Sequence, residues 1–111
     1  IILTGSSDSP VEPYSPMLGV YSIVCRQDLT GKPEGGWYPE ERVSVYDAIS
    51  MYTRNAAYSS YEEDIKGTIT VGKLADFAVM EEDPFTVDPL HIKDIRVMQT
   101  WLGGEKVYEA E

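Results

Sequence analysis

The sequence has few of the side chains that build metal sites and disulfides. Among its 111 residues there is one histidine, His91, and one cysteine, Cys25. A lone cysteine excludes a disulfide within the chain and gives no sign of an oxidising compartment. Because Cys25 follows Ile23 and Val24, we expect it to be a small core residue. One histidine and one thiol are too few for a zinc site of ordinary composition, so we expect this chain alone to bind no metal tightly.

Basic residues and long apolar runs are also scarce. Nine Lys and Arg stand against 19 Asp and Glu, which gives a net charge of -10. Phosphate backbones repel such a surface, so we expect no nucleic-acid partner. No apolar run reaches the roughly 18 residues of a membrane-spanning helix, and no basic and apolar leader is present, so we expect no membrane partner and a cytoplasmic location. The remaining composition, 42% hydrophobic and 25% charged, is typical of a globular domain.

An apolar segment opens the sequence, and a polar loop follows it directly. Ile1-Ile2-Leu3-Thr4 has the pattern of a strand buried on both faces, and Gly5-Ser6-Ser7-Asp8-Ser9-Pro10 comes next. An apolar strand at residue 1 without an initiator Met leads us to expect that the chain is part of a larger protein. Asp8 is the candidate functional residue, because α/β barrels place catalytic groups just past the carboxyl ends of their strands. Ser-Asp-Ser-Pro also suits an ordinary turn, so both interpretations stay open.

A short helix is predicted for residues 16–26. Pro16 lies at a favourable first-turn position behind Ser15. One face of this helix is apolar and predicts a buried side, formed by Met17, Val20, Tyr21 and Val24. Residues 27–42 are rich in glycine, proline and charge, and they predict an irregular loop.

The clearest helix pattern covers residues 45–58. Ser44 is a good N-cap, and Asp47 three residues later can bond back to the N–H of the cap, as in a capping box. The helical spacing of apolar side chains predicts a core-facing stripe, made of Val45, Ala48, Ile49, Tyr52 and Ala56.

After residue 60 the pattern changes from helical to alternating. Extended segments are predicted at 68–71, 76–80, 92–102 and 105–108. The third of these has Asp94 as an alternative starting point. Gly103-Gly104 predicts a two-residue hairpin turn, since glycine pairs supply the positive φ angles that such a turn requires.

Two other patterns are weak candidates for a functional site. Residues 67–74 nearly match the phosphate-binding pattern G-x-x-x-x-G-K-[ST], but Leu74 stands where a magnesium-binding hydroxyl is needed. A strand rather than a helix is predicted to follow, so no helix N-terminus would face a phosphate. His91 lies in Asp88-Pro89-Leu90-His91, which resembles a turn, and we interpret it as a surface residue.

Several segments together resemble the amidohydrolase superfamily, most closely the branch called amidohydrolase family 3. The resemblance covers nearly the whole chain and is most specific over residues 66–84. The segments that carry it are Gly5 to Val11, Pro16 to Gly19, Tyr52 to Tyr58, Lys66 to Ile69, Gly72 to Phe77, Asp83-Pro84, Val97 to Gly104 and Val107-Tyr108.

The resemblance implies an α/β fold combined with β structure. Residues 1–60 would be the last strand, a loop and the terminal helices of a (β/α)₈ barrel. Residues 61–111 would be part of a composite β-sandwich. The barrel strands that carry the histidine ligands of this superfamily, and often a modified lysine, are missing from the chain. We therefore expect it to be inactive alone, and either to self-associate or to pair with the missing barrel portion.

The same resemblance implies a mechanism for the whole protein. Members hydrolyse C–N bonds of small, non-peptide, amide-type substrates with one or two divalent metals, often zinc. Asp8 matches the aspartate after the last barrel strand, which binds metal and acts as general base. A second hypothesis remains, in which the chain is a non-catalytic β-rich interaction or assembly module and Asp8 is only a turn residue.

Overall fold

Three α-helices and a three-stranded antiparallel sheet form the regular structure. The structure is a computed structural model that describes residues 1–111. The helices are α1 (Pro16–Cys25), α2 (Val45–Tyr52) and α3 (Arg54–Ser59), and the strands are β1 (Phe77–Met80), β2 (Val97–Leu102) and β3 (Glu105–Glu109). Two short 3₁₀ helices span Pro39–Glu41 and Pro89–Asp94. None of the helices has the length and apolar character needed to cross a membrane.

The first helix, α1, agrees with the prediction. It begins at Pro16, whose missing N–H would have had no helical partner, and the side chain of Ser15 makes no capping hydrogen bond. It ends where Arg26 adopts a left-handed conformation, with φ of 55°, and donates its N–H to the carbonyl of Ser22. The predicted face is buried, and the buried residues are Met17, Val20, Tyr21, Val24 and Cys25.

The predicted single helix over residues 45–58 is wrong in its continuity, because the chain breaks at Thr53 into α2 and α3. The hydroxyl of Ser44 accepts the N–H of Asp47 at 3.0 Å, as predicted. The Asp47 carboxylate, however, accepts the Ser44 hydroxyl at 2.7 Å rather than its backbone N–H. At the break, the Thr53 hydroxyl donates to the carbonyl of Ile49 at 2.9 Å, a bond type that bends helices.

The main apolar core lies around α1. Two of its members, Ile92 and Ile95, come from the second 3₁₀ helix and its C-terminal end, which packs against α1. Their three-residue spacing suits a 3₁₀ helix, in which side chains at i and i+3 lie on one side. The other buried members are Met17, Val20, Tyr21, Val24, Cys25 and Ala48.

The sheet has the order β1-β2-β3, with antiparallel pairing throughout. Residues 103 and 104 connect β2 to β3, and their φ angles of 58° and 83° are those that glycine adopts without strain. The register pairs Phe77 with Trp101, and their rings stack with centroids 5.6 Å apart. The predicted strand at 76–80 and the hairpin are therefore confirmed.

Three predicted strands differ in the structure. Residues 1–4 form no strand, and Ile1, Ile2 and Leu3 are exposed rather than buried, because no neighbouring strand pairs with them. Residues 68–71 are likewise unpaired. The strand predicted from residue 92 begins only at Val97, because residues 89–94 take the 3₁₀ conformation.

Candidate functional site

Asp8 lies in a turn directly after the segment of residues 1–7. Its backbone is left-handed, with φ of 46°, a conformation that aspartate tolerates better than most residues with a side chain. The Asp8 N–H donates to the hydroxyl of Ser6 at 3.1 Å, and the Asp8 carbonyl accepts the N–H of Val11 at 2.9 Å. The backbone of the turn is thus fixed by local bonds, while the Asp8 side chain is exposed.

The segment before Asp8 is bonded to the helices. The Gly5 N–H donates to the carbonyl of Met51 in the last turn of α2, at 3.1 Å. The side-chain amide of Asn55, in the first turn of α3, donates to the carbonyl of Leu3 at 3.0 Å. These two bonds hold Leu3 and Gly5 in place, and they thereby fix the direction of the backbone as it enters the Asp8 turn.

A cleft of about 690 Å³ lies beside this turn. Ser6 and Ser7 contribute to its wall, whereas Asp8 does not. The charged side chains that line it are both acidic, Glu12 and Asp28. The N–H of Lys32 and the hydroxyl and N–H of Thr30 donate to the Asp28 carboxylate, and these bonds lower the pKa of Asp28. The cleft therefore carries negative charge near neutral pH.

A metal ion would find one suitable ligand in the Asp8 turn. An exposed carboxylate is a chemically suitable ligand for zinc and other divalent cations. No group of three or more histidine, cysteine, aspartate or glutamate side chains converges anywhere in the chain. Catalytic zinc sites use about three protein ligands. Asp8 can thus serve as one ligand of a metal ion, but this chain does not supply the other ligands of a complete site.

The lone cysteine lies at the end of α1, and the lone histidine lies in the 3₁₀ helix of residues 89–94. Cys25 is buried at 4% exposure, and its thiol donates to the carbonyl of Pro89 at 3.4 Å. Burial raises the pKa of the thiol, although Arg42 opposes the shift. Its predicted core position is confirmed. His91 is exposed in the 3₁₀ helix of residues 89–94, as predicted.

The phosphate-loop-like residues 67–74 form turns rather than a nucleotide site. The Leu74 N–H donates to the carbonyl of Ile65 at 2.8 Å, and the Lys73 ammonium donates to the carbonyl of Glu63. The segment leads into strand β1. No helix N-terminus follows the glycines, so the backbone N–H groups that cradle a phosphate in such loops are not presented.

Comparison with known proteins agrees with the resemblance seen in the sequence. The model of the amidohydrolase family matches residues 1–108. The chain belongs to the amidohydrolase family. It is 37% identical over 109 residues to YtcJ of Bacillus subtilis (strain 168), which carries the name of an amidohydrolase; the match covers 98% of this chain and 21% of YtcJ.

Two further relatives are similar to this chain over most of its length. The N-substituted formamide deformylase of Arthrobacter pascens is 32% identical, with 94% of this chain and 19% of that protein covered. The protein LONG AFTER FAR-RED 3 of Arabidopsis thaliana is 31% identical, with 96% of this chain and 18% of that protein covered. The chain thus spans about a fifth of the length of these relatives. No solved structure matches it significantly.

Asp8 can be recognised as a candidate from the sequence, whereas the residues that hold the segment before it cannot. In the sequence, Tyr52 belongs to the predicted apolar stripe of the helix, and no pattern gives Asn55 a role. One signal was present for Asn55: asparagine is a poor residue for a helix interior, because its short amide bonds nearby backbone groups instead. In this chain the Asn55 amide bonds the carbonyl of Leu3, which is distant in sequence.

Proposed function

We propose that this chain is the C-terminal part of a metal-dependent hydrolase that cleaves C–N bonds in small, non-peptide, amide-type substrates. The observation that carries the proposal is the family match over residues 1–108, which includes the exposed carboxylate of Asp8. The relative named N-substituted formamide deformylase supports a C–N bond as the point of attack. Because the chain spans about a fifth of its relatives, the activity belongs to a longer protein.

Asp8 would act at two points of this reaction. Its carboxylate would hold a divalent metal, such as zinc, as one of several ligands. When bound, the metal lowers the pKa of a water molecule and polarises the carbonyl of the substrate. The Asp8 carboxylate would accept the proton of the attacking water and deliver it to the nitrogen of the leaving group. An exposed carboxylate in a locally fixed turn suits this proton transfer, since the side chain is accessible to solvent.

The remaining architecture follows the same proposal. Residues 1–4 would be the end of the last strand of a (β/α)₈ barrel, followed by the loop that carries Asp8. Ile1, Ile2 and Leu3 are exposed in this chain, as expected if neighbouring barrel strands cover them in the whole protein. Residues 61–111 would form part of a small β-sandwich, to which the hairpin of β2 and β3 belongs. Without the other metal ligands the chain alone would be inactive, and it would pair with the barrel portion or with itself.

The test is Asp8→Asn in the whole protein, with metal content checked. Asparagine keeps the size of the side chain but cannot take a proton from water, so we expect turnover to fall by about 10²–10⁴-fold. His91→Ala is the matched control, since this exposed residue lies in the 3₁₀ helix, and it should leave kcat unchanged. If Asp8→Asn keeps more than about a tenth of wild-type turnover, Asp8 is only a turn residue, and the non-catalytic interaction module becomes the better interpretation.

A further inference from the structure

The break between α2 and α3 leaves a backbone carbonyl free to accept a hydrogen bond from the segment before Asp8. Thr53 has φ of −126° and ψ of −99°, far from helical values, so α2 ends at Tyr52 and α3 begins at Arg54. The last four carbonyl groups of an α-helix have no partner within that helix. The carbonyl of Met51 belongs to this group and is the one that accepts the Gly5 N–H. A continuous helix would have used this carbonyl internally.

Both sides of the break contact the segment before Asp8. The α2 side binds Gly5 through its N–H, and the α3 side binds the carbonyl of Leu3 through the amide of Asn55. Asp8 follows Gly5 by three residues. A shift of either helix would therefore displace residues 3 to 5 and, with them, the turn that carries the Asp8 carboxylate.

The ring of Tyr52 adds a packing contact to these two bonds. A Cβ on Gly5 would lie 2.5 Å from Cε2 and Cζ of the ring, and a Cβ on Gly19 would lie 2.8 Å from Cζ. These distances are shorter than real carbon contacts, so the missing side chains of both glycines make room for the ring. Burial raises the pKa of the Tyr52 hydroxyl. The ring thus touches both the segment before Asp8 and α1.

We propose that Tyr52 and Asn55 are positioning residues that determine where the Asp8 carboxylate lies. Neither acts on the reacting atoms; both act through the backbone at residues 3 and 5. The inference rests on the proposed function of Asp8 and adds the residues that place it. A displacement of about 1 Å in a reacting group can cost about 10²-fold in rate, so two hydrogen bonds and one ring contact are enough to matter.

The first test is Asn55→Asp in the whole, metal-loaded protein. Aspartate has nearly the size of asparagine, but it loses the N–H donor and turns a carboxylate oxygen toward the carbonyl of Leu3. We expect kcat to fall by about 10- to 100-fold while KM changes by less than about twofold. Hydrogen exchange of a peptide covering residues 1–8, measured by mass spectrometry, should become about five- to tenfold faster, because a bond that holds this segment is lost.

The second test separates the ring of Tyr52 from its hydroxyl. Tyr52→Ala removes the ring and should lower kcat and accelerate exchange in residues 1–8 as Asn55→Asp does. Tyr52→Phe keeps the ring and should restore most of the kcat that the alanine variant loses. Tyr58→Ala is the matched control, because this half-exposed tyrosine of α3 makes no side-chain hydrogen bond, and it should change neither measurement.

The outcomes separate this inference from the proposed function. If Asp8→Asn keeps its turnover, the proposed function is wrong and the inference falls with it. If Asp8→Asn is inactive but Asn55→Asp and Tyr52→Ala keep wild-type kcat and exchange, only the inference is overturned. It is also overturned if these variants lower the melting temperature but keep kcat per metal-loaded site, since their role is then stability alone. Loss of kcat without faster exchange in residues 1–8 overturns it as well.

Discussion

Replacing Gly19 with alanine should destabilise the protein, although helix propensity alone predicts the opposite. Gly19 lies in the interior of α1, where glycine costs about 0.5–1 kcal/mol relative to alanine. The added methyl group would, however, overlap the Tyr52 hydroxyl and lie 2.8 Å from its Cζ. The ring has little freedom to move away, because it also packs against Gly5.

The magnitude follows from two opposing contributions to the free energy of unfolding. Overpacking in a filled site costs typically about 1–3 kcal/mol. The gain in helix propensity offsets at most about 1 kcal/mol of this cost. The net change expected for Gly19→Ala is therefore a loss of about 1 kcal/mol. The loss should be smaller in a Tyr52→Phe background, because the hydroxyl that the methyl group overlaps is then absent.

The assay is urea unfolding of four proteins: wild type, Gly19→Ala, Tyr52→Phe and the double variant. The double-mutant cycle should give a coupling energy between residues 19 and 52 of at least about 0.5 kcal/mol, as expected for side chains in contact. The reasoning is refuted if Gly19→Ala is more stable than wild type, or if the two substitutions are additive. Either result would mean that the ring does not occupy the space between Gly5 and α1.

Three further predictions concern the helix cap, the thiol and the charged loop. Ser44→Ala should lower the free energy of unfolding by about 1 kcal/mol, whereas Ser15→Ala, whose side chain makes no cap bond, should change it little; thermal unfolding of both compares them directly. Cys25 should react with a thiol reagent far more slowly than free cysteine at pH 7.5, since burial shields it and raises its pKa; a rate near that of the free amino acid would contradict the core position. Because bonds from Lys32 and Thr30 lower the pKa of Asp28, its contribution to stability should be complete above pH about 4 and disappear as the pH falls through the lowered value; an Asp28→Asn variant that keeps the acid sensitivity of the wild type would contradict this.

Local signals predicted the elements whose partners are near in sequence. The hairpin of β2 and β3 follows from two glycines between alternating residues, and the start of α2 follows from Ser44. The sequence does not predict the break at Thr53. No glycine or proline marks this position, and the apolar stripe continues to Ala56 with helical spacing. At the break, the Thr53 hydroxyl bonds the backbone carbonyl of Ile49, one turn earlier. Many threonines in helices make this bond without interrupting the helix, so the presence of a threonine does not predict a break.

Elements that depend on distant partners were harder to predict. The strand predicted over residues 92–102 includes Ile92 and Ile95, but both pack against α1, and the chain takes the 3₁₀ conformation up to Asp94. Residues 1–4 have the composition of a buried strand, yet a strand exists only where another pairs with it, and this chain provides none. At the candidate site, the position of Asp8 after an apolar segment was readable, whereas its connections to Tyr52 and Asn55 arise only from the fold.

The packing of Ile92 and Ile95 on α1 has a consequence for protein engineering. A chimaera that joins residues before 60 to the remaining sequence of another relative would inherit α1 from one parent and these two isoleucines from the other. Both side chains are at most 7% exposed, so a partner of different shape would leave a void or an overlap in the core. Recombination in this family should therefore succeed more often when the segment 16–25 is exchanged together with 89–95, although more than 60 residues separate them in sequence.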